Sequence, residues 1–250
     1  MTVPLPTGAE KVAAVDAMFD AIAPGYDVTN RVISLRLDIG WRRRTVRSLD
    51  LGPGALVLDL ACGTGDLCWE LARQGLLPVG VDRSAGMLEA ARRRAASASP
   101  AASSRDSAPL VRGDGLALPF RTGALDGIVC GFALRNFAAL GPTLAECARV
   151  LRPGGRLALL EVDAPSQPLL RLGHRVWFGH VVPFVGGLVA ARSGAPRARA
   201  TAAYRYLPAS VAYLPPPAEL LALISAAGFA SVERRPLSGG IAQLLTGTRS

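Results

Sequence analysis

The sequence is poor in cysteine and histidine, and this shortage argues against a metal site. Its four cysteines, Cys62, Cys68, Cys130 and Cys147, form no C-x-x-C pair, and only two histidines could join them as ligands. Zinc sites in proteins combine closely spaced cysteines and histidines. We therefore expect no bound metal.

Lysine is almost absent, because Lys11 is the only one among 28 basic residues. With 19 acidic residues the formal charge is +9 at pH 7, which by itself would suit a nucleic-acid partner. No aromatic-rich basic patch or RNA-binding motif accompanies that charge, and GC-rich genomes encode arginine in place of lysine. We expect no nucleic-acid partner. A non-catalytic nucleic-acid-binding protein is the alternative from another class, and salt-dependent binding would identify it.

The sequence also lacks a long hydrophobic run. Its beginning has no basic region followed by an apolar core, so no secretory signal is visible and we expect a cytoplasmic protein. The stretch "VWFGHVVPFVGGLVAA" (residues 176–191) is uncharged, but its 16 residues include a proline and three glycines. A bilayer-spanning helix needs about 20 apolar residues. The stretch predicts an apolar lid or groove wall, with contact to a lipid surface as the alternative.

The order of patterns along the 250 residues, 50% of them hydrophobic, predicts one α/β domain. After helical patterning over residues 9–49, the strand-like runs "ALVLDLA", "LPVGVD", "APLVRGD", "LDGIVCGF" and "GRLALLEV" alternate with helix-compatible stretches. This alternation is typical of a doubly wound parallel sheet. The runs "SVERRPL" and "IAQLLTGT" then predict an antiparallel hairpin at one end of that sheet. Within the domain we distinguish an N-terminal helical substrate or lid segment (1–50), a cofactor-binding core (51–163), a lid or substrate insertion (164–217) and a C-terminal helix and hairpin (218–250).

A glycine turn follows the first apolar strand, in "LVLDLACGTGDL" (residues 56–67). A backbone without side chains at Gly63 and Gly65 lets a ligand approach closely. The dinucleotide fingerprint G-x-G-x-x-G would need a third glycine where this chain has Cys68. The turn therefore favours a ligand other than a dinucleotide.

Three carboxylates lie at the ends of three successive predicted strands. Asp59 precedes the glycine turn, Asp82 ends the next strand and could accept both hydroxyls of a ribose, and Asp114 could receive the amino group of an adenine. Folds of this kind bind ligands at the carboxyl edge of the sheet. A single aspartate in such a place is often a helix cap, which is the alternative for Asp82. Carboxylates without a phosphate-gripping lysine favour a nucleoside-like ligand with positive charge, S-adenosylmethionine.

Successive motifs resemble those of the class I methyltransferases: "VLDLACGTGDL", "GVDRSAGML", "GDGLALPF", "LDGIVCGFALRNF" and "ARVLRPGGRLALLEV". More narrowly they resemble the UbiE/MenG family, which C-methylates the quinol ring in menaquinone and ubiquinone synthesis. The segments "MFDAIAPGYDVTNRVISLRLDIGWRRR" (residues 18–44), "YRYLPASV" and "LSGGIAQLLTGT" are similar to that family as well. The chain departs from it at the insertion 97–107, at "EVDAPS", at "RSGAPRARAT" and at Ala133, where the family has a glycine.

The resemblance implies a Rossmann-like, seven-stranded class I fold that binds S-adenosylmethionine. The residues it implies for cofactor binding are Asp59 and the loop Gly63, Thr64 and Gly65 at the methionine part, Asp82 at the ribose, and Asp114 with Gly115 at the adenine. Met87 and Leu88 in "SAGML" either border the cofactor or pack in the core.

The implied reaction transfers a methyl group to an aromatic carbon, which is a poor nucleophile unless a ring hydroxyl ionises. The substrate should therefore be the reduced quinol, and a residue should remove or stabilise the phenolic proton. The catalytic candidates are Tyr26, Asp27, Arg135 and Asn136, with Arg135 as a fixed cation beside the phenolate. His174 and His180 are alternative bases, because their pKa values lie near neutrality.

The function expected from this resemblance is methylation of demethylmenaquinol. A methoxy-polyprenyl-benzoquinol of the ubiquinone pathway and another aromatic metabolite are the alternatives. We expect the partners to be a prenylated quinol and, transiently, the membrane surface at the inner face of the cell membrane; a homodimer stays open. Trp177, Phe178, Phe184 and Val185 should form the wall of a prenyl channel or a lipid-facing patch.

Overall fold

A computed structural model describes residues 8–97, 108–182, 184–185 and 210–250 of the chain. The predicted helical region 9–49 forms three helices, α1 (Gly8–Ile22), α2 (Tyr26–Ile33) and α3 (Leu37–Arg47). A 3₁₀ turn, Ala23–Gly25, joins the first two. The chain then enters the sheet through a strand whose residues are almost all buried.

Strands and helices alternate in the central part of the chain. They are β1 (Leu56–Leu60), α4 (Asp66–Arg73), β2 (Leu77–Asp82), α5 (Ala85–Ser97), β3 (Leu110–Arg112), β4 (Leu125–Gly131), α6 (Leu140–Val150) and β5 (Leu151–Val162). Helix α7 (Pro168–Val176) runs into a π-helical turn, Trp177–Val181. After the next described segment come α8 (Pro217–Ala226), β6 (Phe229–Leu237) and β7 (Ala242–Arg249).

The seven strands form one sheet in the order β3-β2-β1-β4-β5-β7-β6. The neighbouring strands among β1 to β5 pair in parallel, whereas β7 is antiparallel to both β5 and β6. The predicted doubly wound sheet with a C-terminal hairpin is therefore confirmed. Because the first five strands are parallel, their carboxyl ends meet at one edge, where ligands bind in such folds.

Helices cover both faces of the sheet, which explains why its central strands are apolar throughout. Val57 and Leu58 alternate onto opposite faces, as neighbours in a strand must. Leu58 packs in a cluster with Leu144 of α6 and Leu220 of α8, and Val57 packs in a second cluster with Leu71 of α4. The two cores hold the carboxyl edge rigidly in place.

Several segments singled out in the sequence lie outside the described residues. They are most of the Ala/Ser-rich insertion (98–107), residues 183 and 186–191 of the uncharged stretch, the Arg-rich segment 192–201 and most of "YRYLPASV". In the part of the chain that is described, no helix has the length and hydropathy of a bilayer span. The same part contains no cluster of three or more metal-ligating side chains.

Candidate active site

Two adjoining cavities open at the carboxyl edge of the sheet. The first is lined by the ends of β1, β2 and β4 and by α1. The second lies between α2, α3, α7 and the ends of β4 and β5. Tyr26 and Phe132 line both cavities. The two cavities therefore adjoin at these two side chains.

The glycine turn forms one wall of the first cavity. Gly63 and Gly65 have φ angles of +54° and +83°, in the left-handed region that favours glycine. The Gly63 N–H donates a 2.7 Å hydrogen bond to Oδ2 of Asp82. A Cβ built on Gly63 would meet no atom within 4 Å. The backbone of Gly63 thus borders open space that a ligand can fill.

Asp82 lines the first cavity, where the sequence predicted a ribose-binding carboxylate. Its Oδ1 accepts a hydrogen bond from the Ser84 N–H (2.8 Å). Burial raises the pKa of Asp82, and the backbone donors of Ser84 and Gly63 oppose that shift. Helix α5 is capped by Ser84, whose Oγ accepts from the Met87 N–H at 3.0 Å. The alternative role of Asp82 as the cap is therefore taken by Ser84.

Asp114 and Gly115 border the same cavity farther along the sheet edge. Oδ1 of Asp114 accepts from the Leu116 N–H at 3.0 Å, and Oδ2 pairs with Arg83. Arg83 also contacts Asp16 of α1 at 3.2 Å. The carboxylate proposed for an adenine amino group is in place, but one of its oxygens already has a cationic partner.

Met87 and Leu88 differ in their surroundings. Met87 lines the first cavity and also packs with Ile22 and Ala23. Its side chain therefore has both of the predicted roles. Leu88 is buried beside Cys62 and Cys68, in the core.

Asp59 and Thr64 lie behind the loop and are not among the residues that line the two large cavities. Oδ2 of Asp59 accepts from the backbone N–H (3.1 Å) and the thiol (3.3 Å) of Cys68, in the first turn of α4. Burial raises the pKa of Asp59 to about 7. Thr64 donates to Asp27, and Gly65 turns the chain into α4. Asp59, Thr64 and Gly65 therefore support the conformation of the glycine turn and do not line either cavity.

The two catalytic candidates on α2 face different ways. Tyr26 lines both cavities, and burial raises its pKa against the opposing effects of Asn30, Arg42 and Arg135. Asp27 instead accepts a hydrogen bond from Thr64 and pairs with Arg94 at 3.2 Å. It therefore lies on the α4 and α5 side of the helix, away from the other three candidates.

Arg135 lines the second cavity and is 5% exposed. Its guanidinium pairs with Glu161, and it donates from Nε to Ser210 Oγ (3.0 Å) and from Nη1 to the Phe132 carbonyl (2.9 Å). Among the described residues, no acceptor is bonded to Nη2. Asn136 lines the first cavity. Sequence reasoning missed Glu161, although a carboxylate at the end of the apolar run "GRLALLEV" is the signal that could have found it.

The second cavity is chiefly apolar. Its hydrophobic lining consists of Ile33, Leu35, Leu37, Trp41, Phe132, Val162, Leu169, Leu170, Trp177, Val211 and Ile241. The Trp177 indole donates to the Ile33 carbonyl at 2.9 Å, which joins the π-helical turn to α2. Of the other predicted channel residues, Phe184 is exposed, Val185 is half-buried, and the side chain of Phe178 lies outside what is described.

The two histidines are separated by the structure. His174 lines the second cavity, and burial lowers its pKa while the charge of Asp163 opposes the shift. His180 is exposed and lines neither large cavity. Only His174 is thus placed where it could act on a ligand.

A charge network that the sequence did not reveal fixes the N-terminal helices to the glycine turn. Asp66, the first residue of α4, pairs with Arg94 (2.6 Å), Arg31 (2.8 Å) and Arg42 (3.1 Å). Burial alone would raise the pKa of Asp66, but the three arginines prevail and hold it at about 2. Helices α2, α3 and α5 are therefore fastened to the start of α4.

Comparison with known proteins gives concordant matches. The model of the ubiE/COQ5 methyltransferase family matches residues 7–249. A Thermus thermophilus demethylmenaquinone methyltransferase is 42% identical over 93% of this chain and 100% of its own length. The ubiquinone/menaquinone biosynthesis C-methyltransferase UbiE of Syntrophotalea carbinolica is 38% identical over 93% of both chains. A solved S-adenosylmethionine-dependent methyltransferase from Thermotoga maritima shares the fold with a TM-score of 0.59 at 18% identity, covering 94% of this chain and 99% of its own.

Proposed function

The chain belongs to the ubiE/COQ5 methyltransferase family, and on that basis we propose that it methylates a ring carbon of demethylmenaquinol with S-adenosylmethionine. The observation that carries the proposal is the pair of adjoining cavities, one edged by backbone donors and carboxylates and the other large and apolar. Relatives named demethylmenaquinone methyltransferase favour the naphthoquinol. The relative named for both pathways keeps a benzoquinol as the second candidate.

The first cavity fits S-adenosylmethionine. Asp82 would accept the ribose hydroxyls, the open space beside Gly63 would receive the methionine part, and Asp114 would border the adenine. When bound there, the cofactor supplies an electrophilic methyl group on a positively charged sulfur. Asp59 supports this site through Cys68 at the start of α4, so its role is to hold the loop.

The second cavity fits a quinol with an isoprenoid chain. Its apolar walls would enclose the chain, while Arg135 and His174 supply polar groups at defined points. Sites for apolar ligands commonly combine hydrophobic walls with a few such groups. The reacting ring would lie beside Tyr26 and Phe132, where the two cavities meet.

The residues around the ring would generate and stabilise a phenolate. Arg135 is held by Glu161, Ser210 and the Phe132 carbonyl, so its positive charge needs no reorganisation as the phenolate develops. Burial keeps His174 neutral at physiological pH, and a neutral imidazole can accept the phenolic proton. Asp27 has no part in this scheme because Arg94 and Thr64 engage it elsewhere.

Substrate identity can be tested directly. Purified protein is incubated with labelled S-adenosylmethionine and a panel of reduced demethylnaphthoquinols and benzoquinols that carry the same prenyl chain. We expect label on the ring of the naphthoquinol. Exclusive labelling of the methoxy-benzoquinol would favour the second candidate, and labelling of neither would contradict both.

A further inference from the structure

The exposed hydrophobic side chains of the described residues are concentrated in two segments. Nine of the eleven large ones lie there: Val28, Val32, Leu35 and Leu37 in one segment, and Leu169, Leu170, Leu172, Val176 and Phe184 in the other. The remaining two, Leu77 and Leu116, lie elsewhere. Isolated exposed hydrophobic residues are ordinary, but a concentration of them indicates an interaction site.

The two segments, apart from Val28, form one surface, which we call the α2/α7 surface. Val28 instead lines a separate pocket on the side of α2 where Asp27 lies. A hydrogen bond of 2.9 Å, from the Trp177 indole N–H to the Ile33 carbonyl, joins the two segments. Leu35 and Leu37 of the first segment line the second cavity together with Leu169 and Leu170 of the second. These four exposed leucines therefore border the apolar cavity.

Three of the exposed hydrophobic side chains of α7 lie along one stripe of the helix. Leu169, Leu172 and Val176 recur at intervals of three and four residues, and are 80%, 56% and 51% exposed. Gly173, His174 and Trp177 line the cavity. Helix α7 is thus apolar both toward the cavity and toward solvent, which a surface helix of a freely dissolved protein does not require.

The charges of the α2/α7 surface are of one sign. Residues 28–37 and 164–182 contain no aspartate or glutamate. Arg36 and Arg171 are exposed, and no carboxylate of the described residues lies within ion-pair distance of either. Arg171 donates to the carbonyls of Pro165 and Ser166, which leaves its charge uncompensated. Exposed leucines among unpaired arginines match an anionic lipid surface, where apolar residues enter the acyl boundary and cations meet the headgroups.

We propose that the α2/α7 surface docks on an anionic bilayer and so places the mouth of the second cavity against the lipid. A prenylated quinol could then enter the cavity without crossing water. Only the identity of the entering molecule rests on the proposed function; the docking itself follows from exposure and charge.

Vesicle binding of the full-length protein tests the docking without any measurement of activity. The vesicles are phosphatidylcholine alone or phosphatidylcholine with 30% phosphatidylglycerol. The test variant is Leu172→Gln/Val176→Gln, since neither residue lines the two large cavities, and the control is Leu77→Gln, 49% exposed at the start of β2. We expect the unmodified protein and the control to bind the anionic vesicles, and the double variant to bind at least tenfold more weakly, which corresponds to about 1.4 kcal/mol.

Three outcomes would overturn the docking. The unmodified protein could fail to bind anionic vesicles, or the double variant could bind as well as the control. A concentration-dependent dimer that the double variant abolishes would instead assign the surface to a second copy of the chain. Methylation of a short-chain, water-soluble quinol is measured in parallel. If the unmodified protein does not methylate this quinol, the proposed function is contradicted, while the vesicle-binding result still stands.

Discussion

Arg135 and Glu161 form an ion pair buried at the carboxyl ends of β4 and β5, with exposures of 5% and 0%. The pair lies beside the apolar cavity, and the arginine alone faces that cavity. A carboxylate buried this deeply needs its cation, because an unpaired charge away from water is strongly unfavourable. The same arginine therefore supports the fold and, in our account, the phenolate.

Paired substitutions separate these two roles of Arg135. Arg135→Met leaves Glu161 unpaired and should destabilise the protein by about 3–5 kcal/mol. Arg135→Met/Glu161→Gln removes both charges and should recover most of that loss. Turnover of the double variant should stay about 10²–10³-fold low, the usual effect of removing one donor to a developing oxyanion. Denaturation and single-turnover assays provide the two readouts, and a double variant with normal turnover would limit Arg135 to a structural role.

Asp82 should contribute to cofactor affinity more than to stability. Charge-assisted hydrogen bonds to two ribose hydroxyls contribute roughly 1.5–3 kcal/mol each, so Asp82→Ala should weaken binding of S-adenosylhomocysteine by at least about a hundredfold. Ser84→Ala measures the cap by itself, because Ser84 caps α5 and its removal should cost ~1 kcal/mol of stability. Calorimetric titration measures both variants. Affinity of Asp82→Ala within about threefold of the unmodified protein would refute the ribose assignment.

Asp59 should make the protein less stable as the pH rises from 5 to 8. Its pKa is about 7 in the folded state against the ordinary aspartate value of 3.8, so the native state binds the proton more tightly and stability falls as pH rises through this window. The loss should be roughly 3 kcal/mol between pH 5 and pH 8. Asp59→Asn carries no titrating group there, and urea denaturation should show it gaining about this much relative to the unmodified protein. If the stability of the two proteins depended on pH in the same way, the raised pKa of Asp59 would be contradicted.

His174 should set the acid limb of the pH profile. Burial lowers its pKa below 6.5, so the base is available at neutral pH and is lost by protonation as the pH falls. For the unmodified enzyme, kcat/KM should therefore decline as the pH falls through the lowered pKa of His174. In His174→Gln this limb should flatten while the affinity for S-adenosylhomocysteine stays unchanged. His180→Gln, altered at an exposed position, is the control, and an unchanged acid limb in His174→Gln would exclude His174 as the base.

The sheet and the cofactor cavity could be predicted because they depend on the order of strands, turns and carboxylates along the chain. A glycine turn after an apolar strand, and Asp82 and Asp114 at the ends of the next strands, all fall at one edge once the strands are parallel. The fold class and the positions of these carboxylates follow directly.

The substrate side could not be predicted in the same way, because it depends on how helices are rotated. Tyr26 and Asp27 are neighbours, but successive helical residues point about 100° apart, so only Tyr26 faces the cavities. The partner of Arg135 is 26 residues away on another strand. The apolar surface was expected within residues 176–191, whereas α7, which carries several of its leucines, begins at Pro168. Such relationships are set by tertiary packing.

The measurement that tests the central claim most directly is a single-turnover reaction with methyl-labelled S-adenosylmethionine and demethylmenaquinone, run with and without a chemical reductant. If a phenolate of the quinol attacks the methyl group, label should appear on the ring carbon only in the reduced sample. Equal labelling of the oxidised quinone, or label on oxygen in place of carbon, would contradict the account.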